Sequence, residues 1–522
     1  MRVTLVYRGR YHIRQALELE TLVPLLRLHG HNVKFVYDPD TFGVTDNVIQ
    51  APWLARIFSS REQIATNITK NDPEVVIFSV LPSTYKWSKQ VAIIVKEHIP
   101  APIVFFGLFP SLVPERVMQD AFVDYVIRGE AENIITSLLE AISDNKKPSE
   151  TGNLWYRQGD KVQYTYQAPF VNLDTLPVPD KELFYPYVSH SYSYTTFVSR
   201  GCSYNCTYCE ETCMKRIFGP KYFRRKSVDT VIKELTIAKK RYGFREVIFK
   251  DSYLSGNKKW LTELMRQYCE DICVPFKCFC TTHGFDEETA KLLKGGGCYC
   301  VEFGLQTWNE NIRQDILRRK ENNKDVCYAL ECCAKHKLWY DVDHMFNLPY
   351  ETRQDHIDGA FCYHKLRYLN RVKVHHLLYY PTAEIVSHGI ASKKLTIDAQ
   401  ENLVDGYESD FYDQQDNNNE DRILVSAYGT LYKILPIMPD SLLHWFTKRN
   451  HIKLLRRIPS PILAILQTLV AVRGKDLRFK AYLCFYPRKV VASFKRSLGQ
   501  YLLNLFSIKN RTIKKVTTDE NY

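Results

Sequence analysis

The sequence predicts an α/β protein in three parts: an N-terminal doubly wound sheet, a partial (β/α)6 barrel and a mainly helical, basic C-terminal region. Two separate series of short β-rich runs, each alternating with helix-length stretches, indicate two parallel sheets. A shift in charge marks the third part, because residues 441–522 contain 17 Lys and Arg but only 3 Asp and Glu. A chain of 522 residues also exceeds the size of one ordinary core.

The first series of runs predicts a doubly wound domain over residues 1–145. The first helix, "ALELETLVPLLRLHG", has Gly30 just after its last turn, where a left-handed glycine commonly ends a helix. The strand candidates are "RVTLVY", "NVKFVYD", "EVVIFSV", "PIVFFG" and "VDYVIRGE". Because ligands of such sheets bind beyond the carboxyl ends of the strands, these ends predict a binding site. The site would include residues 7–9, 38–43, 79–83, 107–110 and 128–130.

The second series predicts a partial barrel over residues 191–390, after a partly Pro-rich linker at residues 146–190. Its strand candidates are "TTFVSR", "REVIFKDS", "PFKCFCTT", "CYCVEFGL", "LWYDVDHMF" and "VKVHHLLYY". Six such repeats predict an active site at the C-terminal mouth of the barrel. Residues 391–522 form the predicted C-terminal region, which is an acidic hinge followed by the basic helical part.

Cysteines concentrate in the predicted barrel. None of the 15 precedes Cys202, and 14 fall between Cys202 and Cys362. In "SRGCSYNCTYCEE", Cys202, Cys206 and Cys209 follow the first barrel strand, so their loop opens into the mouth. A 4Fe–4S cluster normally takes four thiolates, whereas a structural zinc site pairs two ligands with a second pair downstream. Three cysteines without such a second pair favour an iron–sulfur cluster with one open iron.

The remaining cysteines leave two alternatives. Cys213 as a fourth ligand would close the cluster and make the protein an electron-transfer iron–sulfur protein. A second cluster would need other cysteines, although free thiols are also common in protein cores. The candidates for that second cluster are the pairs Cys278/Cys280, Cys298/Cys300 and Cys332/Cys333.

The stretch "RGCSYNCTYC" resembles the cluster motif of the radical S-adenosylmethionine (SAM) superfamily. Four later stretches resemble further segments of that family in the same order: "FKDSYLSG", "GCYCVEFGLQTWNENIRQDILRR", "VDHMFNLPYET" and "YYPTAE". The resemblance implies a TIM-like barrel in which Cys202, Cys206 and Cys209 bind a 4Fe–4S cluster, and SAM binds the open iron. The SAM contacts that it implies are Tyr208, Asp251, Gln306 and Arg319.

Three positions depart from the pattern of this family. Ser203 stands where Pro is common, Gln306 where Glu is usual, and Asn347 where Gly is usual. A glutamine keeps a hydrogen-bond donor and acceptor but removes the charge. We therefore expect SAM to be bound with an altered contact at Gln306.

The first 145 residues resemble the cobalamin-binding domain, of Rossmann/flavodoxin-like fold, that precedes the barrel in a large subgroup of this superfamily. The matching stretches are "LVPLLRLHGHNV", "PEVVIFSV", "APIVFFGLFPSLVPE" and "VDYVIRGEAE". The usual motif with a His ligand is absent, since "DPDTFG" has its outline but carries Asp40 in the His place, and Phe106 replaces the first Gly of the usual pair. The resemblance implies bound cobalamin without a His below the cobalt. Its implied contacts are Ser79, Ser83, Gly107, Gly129 and Glu130.

Together the two resemblances imply a radical SAM enzyme that cleaves SAM to a 5′-deoxyadenosyl radical and methylates an unactivated carbon with the help of cobalamin. Cyclisation, rearrangement or oxygenation without net methyl transfer is the alternative within the same family. The expected substrate is a small molecule, a lipid-like molecule or a peptide, and the expected electron donor is a flavodoxin or ferredoxin. The sequence assigns no catalytic residue.

The sequence shows neither a secretory leader nor an apolar run of roughly 18 residues, so we expect a cytoplasmic protein. The basic residues 441–522 indicate either a solvated helical face or a peripheral contact with an anionic membrane. No RNA-binding motif is visible, so nucleic acid is not an expected partner.

Overall fold

The computed structural model describes residues 1–9, 16–38, 61–184, 192–406, 420–448 and 451–474, together with residues 491 and 498. Within these residues the first sheet has seven strands in the order β2-β1-β3-β4-β5-β6-β7. Its strands are β1 Arg2–Arg8, β2 Asn32–Asp38, β3 Val75–Ser79, β4 Ile103–Phe106, β5 Tyr125–Ile127, β6 Leu154–Gln158 and β7 Lys161–Tyr164.

The first five strands pair in parallel, as the sequence predicts for a doubly wound domain. Strands β6 and β7 are antiparallel and extend this sheet with residues from the segment predicted as a linker. Gly30, at a φ of 78°, follows the first helix as predicted. The helices of this part are α1 Leu17–Leu28, α2 Arg61–Thr69, α3 Tyr85–His98, α4 Leu108–Leu112, α5 Pro114–Met118 and α6 Glu132–Ser143.

The second sheet is an open half-barrel of six strands, in the order β15-β14-β13-β12-β11-β8, and all its described pairs are parallel. It confirms the predicted partial barrel. Its strands are β8 Ser193–Thr196, β11 Glu246–Phe249, β12 Phe276–Cys280, β13 Cys298–Gln306, β14 Trp339–Phe346 and β15 Leu369–His376. A short antiparallel pair, β9 Ser199–Arg200 and β10 Arg224–Arg225, lies beside it.

Helices pack on the outer face of the half-barrel. Ser227 caps the second of them with its side-chain oxygen, and Gly243 ends it at a φ of 60°. The helices are α7 Glu210–Phe218, α8 Val228–Tyr242, α9 Lys258–Gln267, α10 Glu287–Gly295, α11 Asn323–Lys335 and α12 Arg353–His364.

The described part of the C-terminal region is helical, as predicted. Its helices are α13 Ile385–Ala391, α14 Ile397–Val404, α15 Glu420–Ile434, α16 Asp440–Thr447 and α17 Ser460–Arg473. Most of the predicted acidic hinge and all the basic residues after position 474 lie outside the described residues. No single described helix meets the length and hydropathy of a membrane span, although His451–Arg457 and Ile462–Arg473 pass together as a pair bent by 101°.

The first domain and the half-barrel share one apolar core. Cys213, Met214 and Phe218 of α7 are buried in the same cluster as Phe78 and Phe105 of the first sheet. Residues after β15 also join this cluster, including Leu377, Tyr379, Ile385 and Leu403. Arg116 donates to Asp405 across the same interface at 2.6 Å. The two sheets are therefore held in a fixed relation by packing as well as by ion pairs.

Candidate active site

The three cysteines of the motif lie where the sequence places them, in the loop that leaves the first barrel strands. Cys206 is buried, and Cys202 and Cys209 are partly exposed. Cys209 is the residue directly before α7, so it lies at the positive end of the helix dipole, which favours a thiolate. Burial raises the pKa of the Cys202 and Cys209 thiols. A metal centre at this loop would therefore displace protons on binding.

Lys215 holds the backbone of the cysteine loop. Its ammonium group donates to the carbonyl oxygens of Cys202, Ser203 and Tyr204, at 3.2, 3.1 and 2.5 Å. Sequence reasoning missed this residue because the contact depends on the loop folding back over α7. The only sequence signal was a lysine in the second turn of the helix that starts at the third cysteine.

Residues at the ends of other barrel strands also hold the loop. Ser203 donates to the Tyr253 hydroxyl at 3.1 Å, and the Tyr204 hydroxyl lies 3.2 Å from that of Thr281. The Thr207 hydroxyl donates to the carbonyl oxygen of Ile316 at 2.6 Å. The loop is therefore fixed on several sides before any cofactor binds, which is the condition for a preorganised site.

Arg319 and Tyr208, two of the predicted SAM contacts, lie together beside the second cysteine. The guanidinium of Arg319 is 3.3 Å from the Tyr208 hydroxyl and 3.7 Å from Cys206 Sγ. Its other edge donates to Glu321 at 2.6 Å. Burial opposes the charge of Arg319, but Tyr208, Cys206 and Glu321 raise its pKa above the ordinary value. A fixed cation thus faces the cysteine loop.

Asp251 and Gln306, the other two predicted SAM contacts, have different surroundings. Asp251 is buried and accepts hydrogen bonds from the backbone N–H of Val198, at 3.0 Å, and from the Ser199 hydroxyl. It thereby holds the strand that leads into the cysteine loop. Gln306 ends β13 with a φ of 72°, and a Cβ on Gly304 would lie 2.8 Å from its amide nitrogen. Glycine at position 304 lets the Gln306 side chain fold over the strand end.

The donor set fits a cluster better than a single ion. Ligands of one metal ion lie close together, but among the described residues the cysteine triplet does not form a set with all ligand atoms within 4.8 Å of one another. Cys213 is buried in the apolar core between the domains. Cys278, Cys280, Cys298, Cys332 and Cys333 lie in the core between the barrel strands and helices. This burial is typical of free core thiols.

The concave face of the half-barrel is charged. Lys277 pairs with Glu302 at 2.7 Å and with Asp341, and Arg371 pairs with Asp341 at 2.9 Å. Lys373 pairs with Glu302 from the next strand. Their neighbours in sequence face the helices, since strand side chains alternate. The concave face of the half-barrel therefore buries a network of paired charges.

The predicted cobalamin contacts fall into two groups. Ser79 ends β3 and donates to Glu18 at 3.1 Å, and Ser83 is half-buried in the next turn. Gly107 has a φ of 107°, and a Cβ added at this position would lie 2.8 Å from the Val80 carbonyl oxygen. All three lie at the carboxyl edge of the first sheet. The buried Trp87 Nε1 beside them has no hydrogen-bond partner among the described residues. This edge therefore offers hydroxyls and an unused N–H donor to a polar ligand such as cobalamin.

The second group, Gly129 and Glu130, lies at the joint between the domains. A Cβ on Gly129, whose φ is 91°, would lie 2.5 Å from Phe218 Cζ of α7. Arg224 donates to Glu130 at 3.0 Å, and Arg200 lies 3.2 Å from it. Burial would raise the pKa of Glu130, but these two arginines lower it. In this structure both residues hold the barrel against the first domain, and their contact with cobalamin stays a prediction.

Arg200 connects the joint directly to the cysteine loop. It stands two residues before Cys202 and donates to both carboxylate oxygens of Glu132, at 2.5 and 3.2 Å. A bidentate pair of this kind fixes orientation as well as distance. The carboxyl edge of the first sheet and the mouth of the barrel therefore face each other. Residues 39–43 of the predicted "DPDTFG" site lie outside the described residues.

Two protein families match the chain in the order that the sequence suggests. The B12 binding domain family matches residues 15–139, and the radical SAM superfamily matches residues 196–358. The chain therefore carries a B12-binding domain followed by a radical SAM domain. The family implies a 4Fe–4S cluster and SAM as cofactors, and the added domain implies cobalamin.

Known relatives of this radical SAM protein agree in architecture. An uncharacterized methyltransferase of Pyrococcus horikoshii is 29% identical over 300 residues, which are 56% of this chain and 64% of that protein. The chain thus matches less than two thirds of this relative. The cobalamin-dependent SAM radical enzyme OxsB has a TM-score of 0.61 at 13% identity, covering 98% of this chain and 81% of its own. The radical SAM methyltransferase TsrM of Kitasatospora setae has a TM-score of 0.57 at 15% identity, covering 74% and 75%. At these identities the two structures show a common fold.

Proposed function

We propose that this radical SAM protein methylates an unactivated carbon of a small polar molecule. The observation that carries the proposal is the facing of two sites in one chain: the cysteine loop at the barrel mouth and the carboxyl edge of the B12-binding domain, joined through Arg200 and Glu132. Several curated relatives, that of Pyrococcus horikoshii among them, are named methyltransferases. When bound, the cluster and SAM supply a hydrogen-abstracting radical, and cobalamin supplies methyl transfer.

The residues of the chain have separate tasks in this function. Lys215, Thr207 and Ser203 hold the cysteine loop in one conformation. Tyr208 and Arg319 lie beside it and would position SAM. The charged concave face, with Lys373 and Lys250 4.5–5.3 Å from the Phe279 ring centroid, would orient polar groups of the substrate. A substrate carbon bound between the cysteine loop and the carboxyl edge of the B12-binding domain would then lie close to both sites.

The overall reaction balances with two molecules of SAM and two electrons from a flavodoxin or ferredoxin. One SAM leaves as methionine and 5′-deoxyadenosine, which carries the abstracted hydrogen. The other SAM leaves as S-adenosylhomocysteine after its methyl group has replaced that hydrogen on carbon. Methylation therefore predicts equal amounts of 5′-deoxyadenosine and S-adenosylhomocysteine for each methylated product.

The test is an anaerobic assay of the protein loaded with cluster and cobalamin, using SAM with a deuterated methyl group. Candidate polar metabolites are supplied, and both adenosine products are counted together with any product that is heavier by a deuterated methyl group. Equal amounts of all three support the proposal. Formation of 5′-deoxyadenosine without S-adenosylhomocysteine across substrates that are consumed would overturn methylation.

That second outcome would favour the alternative of cyclisation, rearrangement or oxygenation. One curated relative is an anaerobic magnesium-protoporphyrin IX monomethyl ester cyclase, at 24% identity over 127 residues.

An electron-transfer protein is the alternative of another class. It predicts that SAM leaves the EPR signal of the reduced cluster unchanged, whereas an open iron predicts a changed signal.

The C-terminal region supports a further part of this proposal, a peripheral contact with an anionic membrane through residues 441–522. Helix α17 exposes Ile462, Ile465, Leu469 and Val472 at helical spacing, so that they lie along one face. Arg456, Arg457 and Arg473 flank this stripe. An apolar helix face with arginines near its two ends suits a surface of anionic lipid.

Co-sedimentation with phosphatidylglycerol vesicles tests the contact. We expect the full chain to bind these vesicles and the doubly substituted Ile465→Glu, Leu469→Glu chain to bind at least ten-fold less. Phosphatidylcholine vesicles serve as the uncharged control. Equal and negligible binding of both chains to anionic vesicles would contradict the membrane contact and leave the proposed reaction untouched.

A further inference from the structure

A second group of metal-binding side chains lies apart from the cysteine loop. His344 belongs to β14, Glu351 to the turn after it, and His356 to the first turn of α12. Each offers one ligand atom, and these three atoms lie within 4.8 Å of one another. Glu351 Oε1 is 3.7 Å from His356 Nδ1. Two imidazoles and one carboxylate are a donor set found in zinc sites.

The ligand atoms are buried and unused. His344 Nε2, Glu351 Oε1 and His356 Nδ1 have no hydrogen-bond partner among the described residues. The side chains are almost fully buried, with 6% of His356 and 2% of Glu351 exposed. Each buried polar atom without a partner costs about 1–3 kcal/mol. Three such atoms close to one another indicate an occupant that is not among the described residues.

The opposite atoms of two of these side chains are already fixed. His344 Nδ1 lies 3.0 Å from the Tyr363 hydroxyl, and Glu351 Oε2 accepts the backbone N–H of Leu348 at 3.2 Å. Such outer contacts are typical of metal ligands, because they orient the free atom toward the ion. Helix α15 packs against both imidazole rings. The ring centroids of Tyr432 and His344 are 4.6 Å apart, and those of Tyr428 and His356 are 5.1 Å apart.

The turn that carries Glu351 is strained at Tyr350. Asn347 and Tyr350 both have a φ of 65°, a left-handed conformation that Asn tolerates but a bulky residue such as Tyr rarely adopts. Strain of this kind persists where surrounding interactions hold it, often at ligand sites. A bound ion would tie the turn to β14 and α12 and offset the cost.

We propose that His344, Glu351 and His356 bind one zinc ion, with a water molecule as the fourth ligand, separate from the cluster site, and that the ion joins β14, the following turn and α12. Zinc bonds of about 2.0–2.2 Å in a tetrahedron place neighbouring ligand atoms roughly 3.3 Å apart. The 3.7 Å between Glu351 and His356 therefore needs only a small closure. Because the site is buried beneath α15, its role is to hold the strand end and the turn in place. This inference does not depend on the reaction proposed above.

The test begins with the whole protein, purified anaerobically from cells supplied with zinc and then loaded with its cluster. We expect about one zinc per chain in addition to the iron. X-ray absorption at the zinc edge should show nitrogen and oxygen ligands near ~2.0 Å and no sulfur shell near ~2.3 Å. Zinc below about one tenth per chain, or a sulfur shell, overturns the proposal, and both results come from the unsubstituted protein.

Substitutions then assign the ligands. His344→Ala and Glu351→Gln should each lower the zinc content at least ten-fold while the iron content stays unchanged. His375→Ala is the matched control, since His375 lies on the neighbouring strand with half of its side chain exposed, and it should retain zinc. Retention of zinc by both ligand variants would overturn the assignment. A variant that fails to fold does not affect the absorption result on the unsubstituted chain.

Discussion

The two parallel sheets of this molecule bury different kinds of side chain. Strands β3 and β4 of the first sheet are buried throughout, with Val76 and Phe78 on one face and Ile77 and Val104 on the other. In the half-barrel one face packs on helices, whereas the other buries Glu302 and Asp341. A sheet covered by helices on both sides leaves no room for charge, but a concave face can hold charges that pair with one another.

The polar residues of the first sheet lie at its carboxyl edge instead, where they meet the barrel. Glu130 and Glu132 pair there with Arg224 and Arg200, close to the cysteine loop. Charge at this edge therefore serves contact between the domains, and charge in the barrel serves the interior of the half-barrel. Four substitutions test this division, from the largest expected effect to the smallest.

Removal of a cluster ligand should have the largest effect. Cys206→Ala should abolish SAM cleavage, by at least roughly 10³-fold, because effects of this size follow the loss of a group on which the chemistry depends. Cys213→Ala is the control and should keep both iron and activity, since Cys213 is buried in the apolar core. Iron content and 5′-deoxyadenosine formation are measured together. Equal iron loss in both variants would mean that Cys213 is a ligand.

Asp341→Asn should destabilise the barrel by about 3–5 kcal/mol, the usual cost of breaking a buried ion pair. Burial alone would raise the pKa of Asp341, but Arg371 and Lys277 outweigh it and hold the pKa below the usual range. The pair therefore stabilises the folded state above about pH 4, and this stabilisation is lost as the pH falls through the lowered pKa. Hydrogen exchange at decreasing pH should show the barrel strands losing protection before β3 and β4.

In the Asp341→Asn chain this acid sensitivity of the barrel should decrease, because one of two titrating carboxylates is gone. Glu302 should account for what remains, because burial would raise its pKa but Lys277 and Lys373 lower it. If the first sheet loses protection at a higher pH than the barrel, the claim that the barrel depends more than the first sheet on buried charge pairs is wrong.

Arg319→Met should slow SAM cleavage by about 10–100-fold, the effect typical of groups that orient a metal site from outside. The reason is its contact with both Tyr208 and Cys206. Arg318→Met is the matched control, because Arg318 is exposed and pairs with Glu384. The rate of 5′-deoxyadenosine formation and the EPR signal with SAM are measured. Unchanged values for Arg319→Met would remove this residue from the site.

Gly129→Ala should have the smallest effect, a destabilisation of about 1–3 kcal/mol from a left-handed residue and a crowded contact. The added Cβ would lie 2.5 Å from Phe218. Urea unfolding measures the loss, and Phe218→Leu in the same chain should restore part of it. No restoration would show that the backbone conformation, and not the domain joint, requires the glycine.

The fold could be predicted from the sequence because its strands are short apolar runs between helix-length stretches. The role of the three cysteines as cluster ligands is also a prediction from local spacing, and it stays a prediction. Lys215 could not be predicted, because its three carbonyl contacts exist only after the loop has folded. The charged concave face had a signal that was overlooked: Asp341 and Asp343 alternate with apolar residues along one strand.

The zinc site had no such signal. His344, Glu351 and His356 stand 7 and 5 residues apart along a strand, a turn and a helix, which matches no common ligand spacing. For Gly129 and Glu130 the sequence did carry a signal, which predicted contacts with cobalamin. In the structure these two residues contact the barrel and hold the two domains together. Contacts between distant elements depend on tertiary packing, which local patterns do not record.

The shared apolar core has a consequence for protein engineering. Helix α7 begins directly after the third cysteine but buries Cys213, Met214 and Phe218 against the B12-binding domain. A chimera that exchanges this domain for that of a relative must therefore also exchange the inner face of α7. If it does not, mismatched packing is transmitted within one helix to the cysteine loop.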